Sequence, residues 1–293
     1  MRELLEKFPL KEITLKDENF PGSLKNIPQA PQKLYFRGVL PSKSEKCFAI
    51  VGTRRATEYG KEQAFRFAKE LSQAGLTIIS GLAVGIDTMA HKGALAGSGK
   101  TIAFLGTGLS EKTIYPQENL KLAKEILEKG GCLISEYEAE QRSFASYFLK
   151  RNGLISALSL GVLVIEAKIK SGALNTASWA LKQNKQVFAI PGNITSLNSM
   201  GCNLLIQKGA LLTQNPKDIL NFFKISYDKI YQGAKGSKEE LLILKVLQNG
   251  ALTADQIIEK TDLKPEQVLR VISTLELADS IKNIFGNKYI LNN

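Results

Sequence analysis

Between residues 47 and 192, six short apolar segments alternate with stretches of helical periodicity. Each segment is unbroken rather than alternating, which is the pattern of a strand buried on both faces of a sheet. Parallel neighbouring strands need crossover connections, and the helical stretches provide them. The pattern therefore predicts an α/β domain with a doubly wound, mostly parallel, Rossmann-like sheet. The predicted strands are CFAIVG, LTIISG, TIAFLG, CLISEY, GVLVIEA and QVFAIPG.

Composition changes along the chain predict four regions. Residues 1–46 are rich in proline and form a short N-terminal extension that packs on the core, with one strand, KLYFRG. Residues 47–224 form the Rossmann-like domain, and the polar residues 225–237 form a linker. Residues 238–293 show three amphipathic segments followed by a short hairpin, which is the order of a winged helix.

The charge of the chain indicates a polyanionic partner. Thirty-nine lysines and arginines against 28 aspartates and glutamates give a net charge of +11. Residues 236–293 carry seven basic and eight acidic side chains, a net charge of −1, so the basic character belongs to the larger domain. A winged helix that reads duplex DNA is normally cationic, so the small domain is better interpreted as a protein-contact or accessory module.

The chain is expected in the cytoplasm. Its three cysteines, Cys47, Cys132 and Cys202, are far apart and form no C-x-x-C pair, which argues against a disulfide framework or a zinc site. The charged start, MRELLEKFPLKE, lacks the apolar core of a signal peptide. No run approaches the length of about 18 apolar residues that a membrane span requires.

The sequence contains segments that resemble a P-loop and a dinucleotide-binding motif, but neither segment matches the required spacing. GALAGSGKT, residues 93–101, is one residue too long for a P-loop and leads into a strand instead of a helix. Neither GTRRAT nor GTGLSE, which follow predicted strands, has the spacing G-x-G-x-x-G, and the second strand lacks the acidic end that a ribose would need. No nucleotide cofactor and no metal is expected.

The sequence offers no convincing catalytic group. His91 is the only histidine and lies on a predicted helix without a partner nucleophile, so a packing role is favoured over general-base chemistry. Asp87 lies near a predicted helix start, where a carboxylate caps free backbone N–H groups.

The loops that follow the predicted strands combine small residues with cations. The carboxyl ends of parallel strands meet at one edge of a sheet, which is where ligands bind in such folds. Glycines there let backbone N–H groups approach phosphates, and several such loops indicate a chain of phosphates. The alternative is a set of tight turns with solvated charges. The residues predicted to contact DNA from these loops are Gly52, Thr53, Arg54, Arg55, Ser80, Gly81, Gly85, Gly106, Gly108, Lys168, Lys170, Ser171 and Gly172.

A second basic stretch follows the fourth strand and adds Phe148, Lys150, Arg151 and Asn152 to the predicted site. Aromatic rings interleaved with cations are typical of single-stranded nucleic-acid binding, since a ring can stack on a base while the cation holds the backbone. The alternative is that the aromatic residues are core positions at helical spacing.

Taken in order, these segments resemble the DprA/Smf family, DNA-processing protein A. The resemblance covers about residues 20–220 and a DprA-like C-terminal winged helix. It runs through FPGSLKNIPQAPQKLYFRG, AIVGTRRATEYG, SGLAVGIDTMAHKGAL, TIAFLGTGLSEKTIYPQEN, GCLISEYEAE, FLKRNGLISALSLGVLVIEAKIKSGALNTASWAL, QVFAIPGNI and GCNLLIQKGALL.

The resemblance implies an extended Rossmann fold that binds single-stranded DNA, forms a homodimer through the Rossmann domain, and loads RecA recombinase in natural transformation without catalysis. It implies that Arg54 contacts a phosphate. It also implies a phosphate pocket lined by Ser80, Gly81, Gly85, Ser171 and Gly172, and a second wall of the DNA groove formed by Phe148, Lys150, Arg151 and Asn152. This chain departs from the family pattern at Leu149, Gly153 and Asn175.

Two other functions stay open from the sequence. The first is an enzyme of the lysine-decarboxylase-like Rossmann group that processes nucleotide monophosphates, although PGNITSLN lacks the second glycine and the Gly-Thr pair of that group. The second is a duplex-specific regulator that reads DNA through the winged helix.

Overall fold

The computed structural model describes residues 7–225, 237–247, 250–277, 280–284 and 286–291. These residues form two compact units, one before and one after residues 226–236. The predicted linker, 225–237, lies outside the described residues except for its two end positions.

The first unit is built on a nine-stranded sheet with the order β1-β2-β6-β5-β4-β3-β7-β8-β9. Neighbours from β6 to β9 are parallel, whereas β1–β2 and β2–β6 are antiparallel. The mostly parallel sheet confirms the predicted fold class, and the two-residue β9 and the edge strand β1 were not predicted. The strands are β1 (Lys11–Thr14), β2 (Lys33–Gly38), β3 (Cys47–Val51), β4 (Thr77–Ser80), β5 (Thr101–Leu105), β6 (Cys132–Ser135), β7 (Gly161–Val164), β8 (Gln186–Ala189) and β9 (Leu211–Leu212).

Helices cover both faces of this sheet. Alternate residues of β5 pack into different clusters, because Ile102 and Phe104 join one core while Ala103 and Leu105 join another. No helix in the described ranges is both long and apolar enough to cross a bilayer. The helices of this unit are α1 (Gly22–Lys25), α2 (Glu58–Gln73), α3 (Ile86–Ala96), a 3₁₀ turn (Gln117–Asn119), α4 (Leu120–Glu128), α5 (Ala145–Ala157), α6 (Gly172–Lys182), α7 (Met200–Gln207) and α8 (Pro216–Phe222).

The second unit has the order of elements that the sequence predicts for a winged helix. Its antiparallel sheet has the order β10-β12-β11, and its apolar core includes Ile243, Ile257, Val268 and Ile272. Thr253 begins the second helix with a capping box to Gln256, which satisfies free N–H groups of the first turn. The elements are α9 (Lys238–Leu247), β10 (Leu252–Thr253), α10 (Ala254–Thr261), α11 (Pro265–Leu277), β11 (Ile281–Ile284) and β12 (Lys288–Leu291).

The order of strands reverses beside β3. Strands β4, β5 and β6 follow on one side of β3, and the chain then crosses to place β7, β8 and β9 on the other side. In open α/β sheets, ligands bind in the crevice outside the carboxyl ends of the strands at this switch point. The topology therefore predicts that a ligand binds at the loops after β3 and β7.

Glu166 joins these two loops. This buried residue lies two positions after β7, and its carboxylate accepts hydrogen bonds from the backbone N–H of Thr57 (3.0 Å) and from the Thr57 hydroxyl (2.6 Å). Its carbonyl oxygen accepts from the N–H of Thr53 at 2.8 Å. Thr57 in turn caps α2 by accepting from the N–H of Gly60. One acidic side chain thus holds the loop after β3 and the start of α2 against the end of β7.

Replacing Glu166 with alanine is expected to lower the free energy of unfolding of the first unit by about 2 kcal/mol, since hydrogen bonds to a charged group are lost. Trp179 is the only tryptophan of the chain and lies in α6, so its fluorescence during urea unfolding reports on this unit. The matched control is Glu62→Ala, at an exposed position of α2. Equal midpoints for the two variants would contradict the assigned role.

Candidate nucleic-acid interface

A cleft of about 840 Å³ opens at the switch point. It lies between the loops after β3 and β7 and the N-terminal ends of α5 and α6. A cavity of about 910 Å³ lies at the opposite, amino-terminal edge of the sheet, near the starts of β3 and β8, and gathers none of the predicted DNA contacts. The predicted residues that line the cleft are Gly52, Thr53, Arg54, Arg55, Phe148, Arg151, Asn152, Lys168, Lys170, Ser171 and Gly172.

Four exposed cations surround the cleft. Arg54 and Arg55 follow β3, and Lys168 and Lys170 follow β7. In the part of the chain that the structure describes, none of the four has a carboxylate oxygen within 4.0 Å. Their charge is therefore available to an anionic ligand.

Two helix N-termini also point to this cleft. Phe144 precedes α5, and Ser171 precedes α6, where its hydroxyl accepts from the N–H of Leu174 at 3.4 Å. Neither helix has an acidic residue in its first turn. The positive ends of two helix dipoles thus add to the positive charge of the four cations, and no acidic residue in the first turn of either helix offsets them.

The floor of the cleft contains two buried side chains of opposite charge, Arg151 and Asp87, each of which bonds to backbone groups. Arg151 donates from Nη1 to the carbonyl oxygens of Gly81 (2.7 Å) and Phe104. Asp87 accepts from the backbone N–H groups of Gly81 (3.1 Å) and Ala83 (3.4 Å). Burial raises the pKa of Asp87, which the Arg151 charge opposes, and burial lowers the pKa of Arg151 to about 10. Arg151 therefore remains charged at neutral pH.

The predicted capping role of Asp87 is wrong. The helix α3 begins after Gly85, whose φ of 82° favours glycine, and Asp87 is the second residue of the helix. Its carboxylate turns back to the loop that precedes the helix. A Cβ atom at Gly85 would lie 2.5 Å from the carbonyl oxygen of Thr53, so glycine also allows the loops after β3 and β4 to pack together.

Aromatic rings line one side of the cleft. The guanidinium carbons of Arg54 and Arg151 lie 5.4 and 5.9 Å from the centre of the Phe148 ring, within the range of cation–π contact. Phe144 is 57% exposed and Tyr115 is 48% exposed. Tyr115 lines the cleft but is not among the residues predicted from the sequence, although it follows the third strand of the series, where a ligand contact is expected.

Six of the predicted residues do not line the cleft, and one of them, Gly81, donates its backbone N–H to Asp87 at 3.1 Å. The Ser80 hydroxyl is buried and donates to the carbonyl oxygen of Ile50 at 2.7 Å. Gly106 is buried beneath Phe148, Gly108 packs against the backbone of residues 138 and 139, and Gly85 packs against the loop after β3. Lys150 pairs with Glu136 at 2.8 Å instead of pointing into the cleft. These positions give no support to direct DNA contact by the six residues.

His91 has the packing role that the sequence favoured. It is fully buried, and its Nδ1 lies 2.7 Å from the hydroxyl of Thr101, which itself donates to the carbonyl oxygen of Ile78. The ring is therefore assigned as the neutral tautomer that donates from Nδ1. Burial and the Arg151 charge lower its pKa to about 3. Within the described ranges, no group of three or more His, Cys, Asp or Glu side chains is arranged to hold a metal ion.

Fold and cleft together define a Rossmann-like α/β protein with a basic cleft at the switch point, joined to a winged-helix unit. A family model described as DNA recombination-mediator protein A matches residues 11–224, and a model of the DprA winged helix domain matches residues 232–287. The chain belongs to the DNA recombination-mediator protein A family, which confirms the resemblance to DprA/Smf proteins.

Curated relatives and solved structures agree with this assignment. Protein Smf of Escherichia coli is 42% identical over 208 residues, which cover 71% of this chain and 55% of that protein. This chain thus matches just over half of the length of the Escherichia coli protein. DNA processing protein DprA of Streptococcus pneumoniae is 38% identical over 219 residues, covering 75% of this chain and 76% of that protein.

The solved structure of DprA from Streptococcus pneumoniae has a TM-score of 0.67 at 38% identity and covers 75% of each chain. DNA processing protein A from Helicobacter pylori has a TM-score of 0.65 at 33% identity, covering 74% of this chain and 96% of that one. That structure is described by its single-stranded DNA binding mode.

The burial of His91 predicts a pH-dependent stability. Because its pKa is about 3 in the folded protein and about 6.5 when unfolded, the unfolded state binds one more proton between these values. The free energy of unfolding is thus expected to fall by about 2 kcal/mol between pH 7 and pH 5. Urea unfolding at both values measures it, and His91→Gln is expected to remove this dependence while lowering stability at pH 7. An equal dependence in the variant would exclude His91 as its source.

Proposed function

We propose that this chain binds single-stranded DNA in the cleft at the switch point. The phosphates are held by Arg54, Arg55, Lys168 and Lys170, and the bases face the aromatic side of the cleft. The observation that carries the proposal is the set of four exposed cations without carboxylate partners among the described residues, placed at the N-terminal ends of α5 and α6.

Several phosphates in a row fit this arrangement better than one. The cations lie on two loops that follow β3 and β7, and two helix N-termini border the same space. A single phosphate would engage one loop and one helix end. A strand that crosses the cleft engages both loops, which is how a chain of phosphates is tracked by a basic groove.

The exposed rings favour a single strand over a duplex. Tyr115 and Phe144 offer faces on which unpaired bases can stack, whereas bases in a duplex are already stacked on one another. The winged-helix unit offers little to a duplex backbone. Its helix α11 exposes Leu269 and Leu277, and the guanidinium of Arg270 pairs with Glu239 at 2.9 Å.

The relatives support the same substrate. The Helicobacter pylori protein, similar over 74% of this chain, has a structure described by single-stranded DNA binding. We extend that ligand to this chain because the cleft residues suit it. The mononucleotide-processing alternative gains no specific support, since PGNITSLN lacks the second glycine and the Gly-Thr pair of that group.

The proposal has four further parts. The protein loads RecA recombinase onto the bound strand, forms a homodimer through the Rossmann domain, has a non-catalytic role and is located in the cytoplasm. The family membership supports the recombinase partner. An apolar edge supports the dimer, because Leu211 and Leu212 of the edge strand β9 are 39% and 50% exposed. Phe222, whose ring packs on Phe188 of the neighbouring strand β8, is 48% exposed.

Replacing Arg54 with alanine is expected to weaken binding of a labelled 30-mer single strand for all base sequences. The slope of log affinity against log salt is expected to fall by about 0.7 to 1 unit, since one phosphate contact is lost. Fluorescence anisotropy across a salt series measures both quantities. The control variant Lys129→Ala removes an exposed cation at the end of α4, far along the chain from the cleft loops. An affinity and slope equal to those of the control would remove Arg54 from the site.

A chain that ends at residue 225 is expected to bind the same single strand within about twofold of the full chain, because the contacts of the cleft lie in the first unit. The same anisotropy assay tests the truncated protein beside the full chain, with single-stranded and duplex 30-mers. Loss of binding on truncation would instead assign DNA recognition to the winged helix.

A further inference from the structure

The amino-terminal edge of the sheet carries a cavity that the proposed DNA site does not use. This amino-edge cavity, of about 910 Å³, lies between β1, the end of β2, the segment 39–45 and the C-terminal end of α5. Its volume falls within the range of about 300–1,000 Å³ that is usual for ligand sites. It shares no lining residue with the DNA cleft, so a ligand here does not have to displace a bound strand.

The walls of the amino-edge cavity are largely apolar. Phe36, Leu40 and Leu158 pack against the core of the first unit and also line the cavity. Val39, which lines it beside them, is 60% exposed. Surface of this kind gains free energy when an apolar side chain of a ligand covers it and removes it from water.

Hydrogen bonds hold the segment between β2 and β3 in place. The N–H of Val39 donates to the carbonyl oxygen of Gly131 at 3.2 Å. The Glu45 carboxylate accepts from the N–H of Ser42 (3.3 Å) and from the hydroxyl of Thr77 (2.5 Å). This wall is therefore formed before a ligand arrives, and the Glu45 carboxylate is already engaged within the protein.

Three lysines line the same cavity without an acidic partner. Lys11 and Lys43 are exposed and Lys185 is partly buried, and among the residues that the structure describes none of the three has a carboxylate oxygen within 4.0 Å. Glu12, the second acidic residue of the cavity, pairs with Lys33 at 3.1 Å. The unpaired charge of the cavity is thus positive, and charge complementarity favours an anionic ligand.

The cavity does not suit a nucleic-acid strand. Its aromatic side chains are Phe20, which is buried, and Phe36, which packs against the core, so neither offers an exposed face to a base. A phosphate backbone would also leave the apolar walls uncovered. An acidic peptide provides both carboxylates for the lysines and an apolar side chain for the walls.

Main-chain groups at this cavity also fit an extended peptide. β1 stands at one end of the strand order, so within the described ranges one of its edges pairs with no strand. Residues 11–13 of β1 line the cavity. An open edge can pair with an added strand, which is a common mode of peptide recognition.

We propose that the amino-edge cavity binds an acidic peptide segment of a partner protein that carries a bulky apolar side chain. The carboxylates pair with Lys11, Lys43 and Lys185, and the apolar side chain covers Val39 and Leu158. The negative end of the α5 dipole lies at Leu158, so the acidic groups are expected at the lysines and the apolar group at this helix end. The protein then holds a peptide at one edge of the sheet and a strand at the other.

Fluorescence anisotropy of a labelled peptide, four aspartates followed by Leu-Leu-Phe, tests the site with the full chain. Binding is expected to weaken about tenfold in the double variant Lys43→Gln and Lys185→Gln, since two ion pairs are lost. The matched control, Lys121→Gln with Lys129→Gln, removes an equal charge from exposed positions of α4 outside both sites and is expected to keep the affinity. Absence of peptide binding by the wild type, or equal affinities of the two double variants, would overturn the proposal.

Val39→Asp tests the apolar wall separately. The new carboxylate repels an acidic peptide and removes apolar surface at an exposed position, so the affinity is expected to fall at least about tenfold. Leu269→Asp places the same charge at an exposed leucine of the second unit and is expected to have no effect. A peptide whose three apolar residues are replaced by serine is expected to bind about tenfold more weakly. Equal binding of the two peptides would show attraction by charge alone and contradict the proposal.

Competition with an unlabelled single-stranded 30-mer distinguishes the two sites. At about 0.15 M salt, where charges more than about 8 Å apart are largely screened, the strand is expected to leave the peptide bound. Displacement would place the peptide in the DNA cleft and overturn the amino-edge site. Peptide binding retained by a protein that fails to bind the strand would support this site and contradict only the proposed DNA function.

Discussion

A buried guanidinium connects the elements that meet at the carboxyl ends of the strands. Arg151, in α5, bonds the carbonyl oxygens of Gly81, directly after β4, and of Phe104, in β5. Burying this charge costs free energy, which the Asp87 carboxylate and the two carbonyls offset. These hydrogen bonds leave little freedom between α5 and the two strands, because movement of either would leave the buried guanidinium without its acceptors. Phe148 lies one turn earlier on α5, so the same contact positions the aromatic side of the cleft.

The internal and external cations of this edge have different roles. Arg151 is committed to protein oxygens, whereas Arg54 lies near enough to oppose its charge and contributes to lowering its pKa. Arg55, Lys168 and Lys170 add further positive charge around the cleft. Like charges held close together raise the free energy of the unoccupied site, and an anionic strand relieves this repulsion on binding. The fixed Arg151 therefore keeps the exposed cations attractive to a polyanion without itself being needed as a ligand.

Much of the fold could be predicted because strands buried on both faces leave continuous apolar runs, as β3 to β8 do. The edge strands β1 and β9 carry no such signal, and Leu211 and Leu212 are exposed. The meeting of the loops at one edge could also be predicted, since parallel topology requires it. The direction of each side chain could not be predicted, because it depends on the position of the residue within its strand or helix. Ser80 turns into the core, and Lys150 turns toward Glu136.

Two of the three departures from the family pattern, Gly153 and Asn175, fall on the interface between α5 and α6, whereas Leu149 is half exposed and lines the cleft. A Cβ atom at Gly153 would lie 3.2 Å from the Trp179 ring, so an arginine there would require that ring to move. Asn175 accepts a hydrogen bond from Asn152 at 3.3 Å, which pairs the polar group that replaces an apolar one. Gly153 does not line the cleft. The lack of a cation at position 153 therefore does not reduce the charge around the cleft. That charge comes from the four exposed cations on the loops after β3 and β7, and not from α5.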